Sequence, residues 1–240
     1  MPAMRALRTI LDLVFPPRCV HCNTVGGSLC QKCLASIQTK DLMQCQLCGG
    51  SLSAENTCAH CCAVDSGTCL ASLQSISEYG GAIRSAIVAL KFRGNRGLAE
   101  PLGSVLSEFI RSTSIKPDVI VPVPLHAQRK RARGYNQVDL LARHTGKILR
   151  VQCRTDLLVR HRFTTPQVGL TKEQRLTNIT GAFRLKRHAE RFLAGKTVVL
   201  IDDVATTGST IDEAARALAA GSPRAIHGIT LARPQLFHHV

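Results

Sequence analysis

Residues 197–210 read Thr197-Val-Val-Leu-Ile-Asp202-Asp203-Val-Ala-Thr206-Thr207-Gly208-Ser209-Thr210. The run from Thr197 to Ile201 is apolar and β-branched, the composition of a strand buried on both faces. Two carboxylates stand at its end, followed by a hydroxyl-rich loop with one glycine. A helix comes next, expected over 210–220, with Ile211, Ala214, Ala215 and Leu218 on one face and Gly221 and Pro223 closing it. Thr210 and Glu213 make a capping-box pattern that places its start. Backbone N–H groups at that start, the hydroxyls of Thr206, Thr207, Ser209 and Thr210 and the permissive Gly208 form a socket for a terminal phosphate. Asp202 and Asp203 would repel a phosphate in the same socket, so they serve another part of the ligand. Adjacent carboxylates accept hydrogen bonds from vicinal hydroxyls, and a sugar with both features is a ribose 5-phosphate. A solvated acid pair before an ordinary polar turn explains either half alone. The lysine of a nucleotide P-loop and the GxGxxG of a dinucleotide site are both absent.

Outward from that segment, Val119 to Val123 and Ile226 to Leu231 repeat the buried-strand pattern. Helical periodicity covers Ile83 to Leu90, Leu98 to Ile110 and Val138 to Leu149, with Lys91 to Gly97 as a connection. Strand alternating with helix predicts an α/β fold, a mainly parallel sheet with helices on both faces. Near the start, Met4, Leu7, Leu11 and Val14 suggest a short amphipathic helix stopped by Pro16-Pro17.

Ten of the eleven cysteines fall between Cys19 and Cys69. This break in composition predicts two units, a cysteine-rich module over 1–75 and a larger domain over 76–240. Four pairs share one spacing: Cys19 with Cys22, Cys30 with Cys33, Cys45 with Cys48, and Cys58 with Cys61. Two closed four-thiolate zinc sites are expected, structural rather than catalytic. Spacing leaves open which pairs combine. A disulfide framework would need an oxidising compartment. Asp12 interrupts the short apolar stretch near the start, so no signal peptide is expected and the chain is read as cytoplasmic. No run approaches the length of a bilayer span, and the mean hydropathy is +0.06.

Of 240 residues, 31 are basic and 16 acidic, a net charge of +15. Residues 129–162 hold ten Lys/Arg against Asp139 and Asp156. Such a balance points to anionic partners: phosphates, nucleic acid or an acidic surface.

The Asp202–Thr210 loop resembles the signature of type I phosphoribosyltransferases, which bind 5-phosphoribosyl 1-pyrophosphate (PRPP). The resemblance extends to the ComF family of competence-associated proteins, which includes GntX-like proteins. It is carried by the CxxC pairs, Tyr79-Gly-Gly-Ala-Ile-Arg84 with Leu90-Lys-Phe-Arg-Gly94, Val121-Pro-Val-Pro-Leu125 with Arg133-Gly-Tyr-Asn-Gln137, and Gln174-Arg-Leu-Thr-Asn178 through Gly181-Ala-Phe183. The resemblance implies a phosphoribosyltransferase-like domain behind a double zinc ribbon, with Asp202 and Asp203 on the ribose hydroxyls. The loop Ala205, Thr206, Thr207, Gly208, Ser209 and Thr210 would hold the 5′-phosphate. Pro124 falls in the pyrophosphate loop, residues 128–137 resemble the mobile flap, and Arg129, Lys130, Arg131 and Arg133 would neutralise pyrophosphate, with Tyr135 beside the hinge Gly134. Mg²⁺ would accompany PRPP.

The ComF resemblance further implies a role in natural transformation, handling single-stranded DNA. A competence partner would dock on the zinc module, and any inner-membrane association would run through partners. With no Trp, two Tyr and seven Phe, strand binding is expected to be mostly electrostatic. The alternative is a phosphoribosyltransferase acting on a small-molecule acceptor in nucleotide metabolism.

Overall fold

The computed structural model describes residues 16–37, 45, 68–164, 178–187 and 189–234. Among them the strands are β1 (Ser72–Glu78), β2 (Val119–Pro122), β3 (Gln152–Cys153), β4 (Leu158–Arg160), β5 (Phe183–Leu185), β6 (Thr197–Val204) and β7 (Ala225–Arg233). The helices are α1 (Gln31–Ala35), α2 (Gly81–Phe92), α3 (Ala99–Ser112), α4 (Ala127–Arg133), α5 (Gln137–Leu149), α6 (Ala189–Leu193) and α7 (Ser209–Ala219). A short 3-10 turn, Arg96–Leu98, precedes α3.

The main sheet has the order β1-β7-β6-β2-β3, and every neighbouring pair runs parallel. Parallel strands lie under helices on both sides, which is why β2 and residues 198–201 of β6 are apolar and buried throughout. Alternate residues serve opposite faces. Ile120, Val199 and Ile201 join the core beneath α2, α3 and α5. Val119, Val121, Val198 and Leu200 join the core beneath α6, α7 and the ribbon of β4 and β5. That ribbon is antiparallel, with Arg160 opposite Phe183.

From β2 the chain steps outward to β3, then returns on the other side of β2 to build β6 and β7. The carboxyl ends of β2 and β6 therefore border the point where strand order reverses, the place where open parallel sheets bind ligands.

Two features depart from the sequence pattern, the strand β1 and the missing capping box of α7. β1 was not anticipated, and it crosses the Ser75/Ile76 position that divides the cysteine-rich segment from the larger one. Residues 128–137, likened to a flap, form most of α4 and the turn into α5, with Gly134 left-handed at φ +80° as the C-cap. The Thr210/Glu213 capping box is not made. Gly208 is the N-cap of α7 at φ +81°, without a side-chain cap, and Glu213 Oε1 accepts from the Gly181 amide at 2.6 Å. The helix expected over residues 4–14 lies outside the described residues.

The described part of the cysteine module is folded onto the larger domain. Cys19, Cys33 and Ile37 belong to the same core as α2 and α3. Ser28 Oγ donates to Asn95 Oδ1 at 3.2 Å, and His21 Nδ1 lies 3.2 Å from Ser85 Oγ on α2.

Candidate functional site

Beyond the carboxyl ends of β2 and β6 lies a cavity of about 750 Å³. Val123, Pro124 and Leu125 line it from the β2 end, and Asp202, Asp203, Ala205, Thr206, Gly208 and Thr210 from the β6 end and the head of α7. Arg129 and Arg133 of α4, Arg160 of β4, and Lys91 and Phe92 at the end of α2 complete much of the wall.

The two aspartates face different surroundings because strand neighbours point to opposite sides. Asp203 shares the face of Val199 and Ile201, and it meets α2 and α5 there. Lys91 Nζ lies 3.1 Å from each of its carboxylate oxygens, and Gln137 Nε2 donates to Oδ2 at 2.6 Å. Only 5% of the Asp203 side chain is exposed, so this buried charge is paired and hydrogen-bonded as it must be. Asp202 shares the face of Val198 and Leu200, toward Arg160. Burial, and then repulsion from Asp203, push its carboxyl up to about 7, against the opposing pull of Lys91, the Asp203 amide and Arg160. Among the described residues Asp202 has no ion-pair partner. Its Oδ1 accepts from the Asp203 amide at 2.8 Å.

The loop after β6 is held by its own hydroxyls and by β7. Thr207 Oγ1 lies 2.7 Å from Ser209 Oγ and accepts from the Ser209 amide at 3.3 Å, while the Ala205 amide donates to Ala232 O at 3.0 Å. No described residue accepts from the amides of Thr206, Thr207 or Gly208. These donors precede the positive end of α7, an arrangement suited to an anion. Gly208 is required here. Its φ of +81° disfavours a side chain, and a Cβ would lie 3.0 Å from Leu73 Cδ2.

Each residue of Arg133-Gly-Tyr-Asn-Gln137 has a mechanical role. Gly134 ends α4. The Tyr135 hydroxyl donates to Leu90 O at the end of α2, and Arg96 covers the ring at 4.5 Å. Asn136 caps α5 through the Val138 amide and donates to Val123 O at 3.1 Å, which fixes the loop leaving β2. Gln137 accepts from Arg133 and donates to Asp203.

The predicted cations separate into two groups. Arg129 and Arg133 reach the cavity, and burial lowers the pKa of both. Lys130 instead lies 3.5 Å from Asp139 Oδ2, and Tyr135 is buried away from the cavity. Thr207 and Ser209 bond each other within the loop, whereas Thr206 and Thr210 line the cavity.

Sequence reasoning missed Lys91, Arg160 and the role of Gln137. Arg160 is only 6% exposed. Its Nη2 donates to Thr164 Oγ1, its guanidinium stands 5.3 Å from the Phe183 ring centre, and its buried Nε has no partner. Burial and the neighbouring Arg129 bring its pKa down to about 10. Its sequence signal was slight, one arginine in a basic run. Lys91 had a clearer one, a lysine between Leu90 and Phe92 at the end of an apolar helix.

Away from the cavity, the Sγ atoms of Cys19, Cys22, Cys30 and Cys33 lie within 4.8 Å of one another. Tetrahedral zinc with Zn–S bonds of about 2.3 Å requires sulfurs about 3.8 Å apart, so the four thiols fit the ion. The first two pairs thus combine in chain order. Hydrogen bonds from Thr24 and Cys30 bring the Cys22 thiol down to about 6, whereas burial and the neighbouring thiols push that of Cys33 up. His21 reaches α2 instead of this cluster. Of the second expected set of ligands, Cys45 falls among the described residues and is buried. Cys48, Cys58 and Cys61, the other three ligands expected there, lie outside the described residues. The described residues thus bring together one four-thiolate cluster of the two expected.

A five-stranded parallel sheet with an acid pair, a glycine-headed helix and cations at its switch point defines a type I phosphoribosyltransferase-like fold. A family profile for the phosphoribosyl transferase domain matches residues 95–235, and one for the double zinc ribbon domain matches residues 10–62. Competence protein F of Haemophilus influenzae is 32% identical over 216 residues, 84% of this chain and 90% of its own length. DNA utilization protein YhgH of Escherichia coli K12 is 32% identical over 216 residues, 85% of this chain and 90% of its own. Competence protein ComFC of Bacillus subtilis is 28% identical over 226 residues, 85% of this chain and 84% of its own. The chain belongs to the ComF family, a double zinc ribbon followed by a phosphoribosyl transferase domain.

Proposed function

We propose that the protein binds PRPP with Mg²⁺ in the cavity between β2 and β6, and that it acts in the cytoplasm on single-stranded DNA during natural transformation. One observation carries the donor reading: Asp202 and Asp203 open onto the same cavity as the Gly208-headed end of α7, with three arginines around them. The 5′-phosphate seats on the amides of Thr206, Thr207 and Gly208. Asp202 accepts from a ring hydroxyl, while Asp203 stays engaged with Lys91 and Gln137 and holds the floor of the site. Arg129, Arg133 and Arg160 neutralise the pyrophosphate. The buried, unpartnered Nε of Arg160 has a donor to spare for it.

Magnesium keeps most of its waters and binds through one or two carboxylates together with substrate phosphates. The residues present fit that demand, because Asp202 is free of ion pairs among the described residues and Asp203 stands next to it. When bound, the ion supplies positive charge to the phosphates and favours departure of pyrophosphate. Arginines from α4 and β4 would add to that charge, Arg129 and Arg160 from one place, since both bond Thr164.

The strand-handling part is supported by the competence and DNA-utilization names of relatives that match most of their own length, and by the basic residues around the cavity. Calorimetric titration of PRPP with Mg²⁺ tests the first part. Asp202→Asn should weaken binding about 10- to 100-fold, the worth of a hydrogen bond to a charged acceptor. A wild-type protein without affinity for PRPP would end the donor reading. Fluorescence anisotropy with a labelled oligo-dT tests the second: affinity should fall steeply with salt. Loss of both ligands in Asp202→Asn/Asp203→Asn would mean one shared site, and loss of PRPP alone two.

A further inference from the structure

Three large apolar side chains among the described residues are exposed: Val25, Phe92 at 70% and Phe163 at 51%. Leaving a phenylalanine in water forgoes the gain of burying it, so two such residues near one cavity call for a reason. Each is faced by an arginine of the cavity wall. The Arg133 guanidinium lies 5.2 Å from the centre of the Phe92 ring, and that of Arg129 lies 5.5 Å from the centre of Phe163. His126 meets Phe163 edge-on at 5.1 Å.

We infer that Phe92 and Phe163, each paired with an arginine of the cavity wall, are stacking posts for the bases of a single strand whose phosphates those arginines attract. The inference rests on the single-strand reading above and replaces its purely electrostatic form.

An aromatic face beside a guanidinium is the combination that proteins use on unpaired nucleotides. The ring takes a base and the cation takes the backbone, with little regard to sequence. A duplex keeps its base faces stacked inside and offers them to neither ring. A protein partner recognised by apolar contact would call for a contiguous apolar patch. Here the apolar surface comes as two separate rings, each set against positive charge. Two posts also suit a polymer better than a single small acceptor.

The Phe92 post is mechanically joined to the donor site. Arg133 donates to Gln137, which donates to Asp203, and Asp203 pairs with Lys91, the residue before Phe92.

The test uses the full zinc-loaded chain and two labelled strands of equal length, oligo-dT and its abasic counterpart, followed by anisotropy at fixed salt. Wild-type protein should prefer oligo-dT about 100-fold, two stacked bases at about tenfold each. Phe92→Ala and Phe163→Ala should each remove about tenfold of the oligo-dT affinity, leave the abasic affinity and the salt slope unchanged, and retain the wild-type melting temperature. Phe92→Leu should behave as the alanine variant does, and Phe92→Tyr as wild type. Equal binding of the two strands by wild type would overturn the stacking posts while the single-strand reading stood. A loss shared equally by the abasic strand would overturn them too. Wild-type protein that bound neither strand would remove both readings.

Discussion

Replacing Lys91 by methionine keeps most of the side-chain volume and removes the charge that both oxygens of Asp203 meet at 3.1 Å. At an effective dielectric of about 20, two unit charges at that separation attract by about 5 kcal/mol. Desolvation of the pair takes back much of this. Removing one member of a fully buried pair costs about 3–5 kcal/mol. Lys91 keeps 28% of its side chain exposed against 5% for Asp203, so water can partly replace it. The expected loss is about 2 kcal/mol, or about 4–8 °C in the melting temperature of a protein this size. The loss should depend on pH, with a definite sign. Lys91 pulls the Asp202 carboxyl down, so without it the Asp202 pKa rises further and a proton is held there to higher pH. The gap between wild type and Lys91→Met should therefore be smaller at about pH 5 than at about pH 8. Scanning fluorimetry of both proteins across that range measures it. In an Asp203→Asn background the same substitution should cost less than about 0.5 kcal/mol, because the charge it served is gone. A gap below about 1 °C at pH 8, or one of equal size at both ends of the range, would refute the assignment.

Asp202, Gly208 and Cys22 each carry a further expected outcome. Asp202 has a folded-state pKa of about 7, above the ordinary 3.8, so the native state holds a proton that the unfolded chain releases. Its contribution to stability should be lost as pH rises from about 4 to about 7, and Asp202→Asn should flatten that decline in melting temperature measured without ligand. Gly208→Ala places a Cβ at φ +81° and 3.0 Å from Leu73 Cδ2, so it should cost about 1–2 kcal/mol in urea unfolding and weaken PRPP binding as the loop shifts. Cys22→Ser should lower the zinc content by about one ion per chain, measured by plasma emission. It should also lower the melting temperature of the whole chain, because Cys19 and Cys33 lie in the core that holds α2.

What the sequence disclosed, and what it hid, follows from the range of the forces involved. β2, β6 and β7 were legible because a parallel strand covered on both faces must be apolar along its length, a property each segment carries by itself. The strand–loop–helix of residues 197–219 was legible for the same reason, with Gly208 marking the turn. β1 was not, since five of its seven residues are polar. Its buried polar residues are satisfied by β7: Ser75 Oγ lies 2.7 Å from Thr230 Oγ1, and Ser72 Oγ 2.8 Å from His227 Nδ1. Those partners are 155 positions away, and nothing local announces them. The capping box failed through a similar contest. Glu213 had a nearby amide to serve, but the Gly181 amide of the β5 side competed for it and won.

The acid pair shows that period-two geometry can be applied more strictly than motif reading applies it. Read as a motif, Asp202 and Asp203 form one group gripping one sugar. Alternation along β6 already requires them to point apart, one toward the core of Val199 and Ile201 and the other toward that of Val198 and Leu200. The first core is roofed by α2 and α5, whose ends supply Lys91 and Gln137. The second is closed by the β4–β5 ribbon, which supplies Arg160. One carboxylate is thereby fixed as an ion pair, and its neighbour is left without one among the described residues and with a raised affinity for a proton. Two identical side chains in sequence thus have two surroundings, one paired beneath the site and one open to the cavity. The identities of Lys91, Gln137 and Arg160 needed the fold, but the division of labour between the aspartates follows from the strand alone.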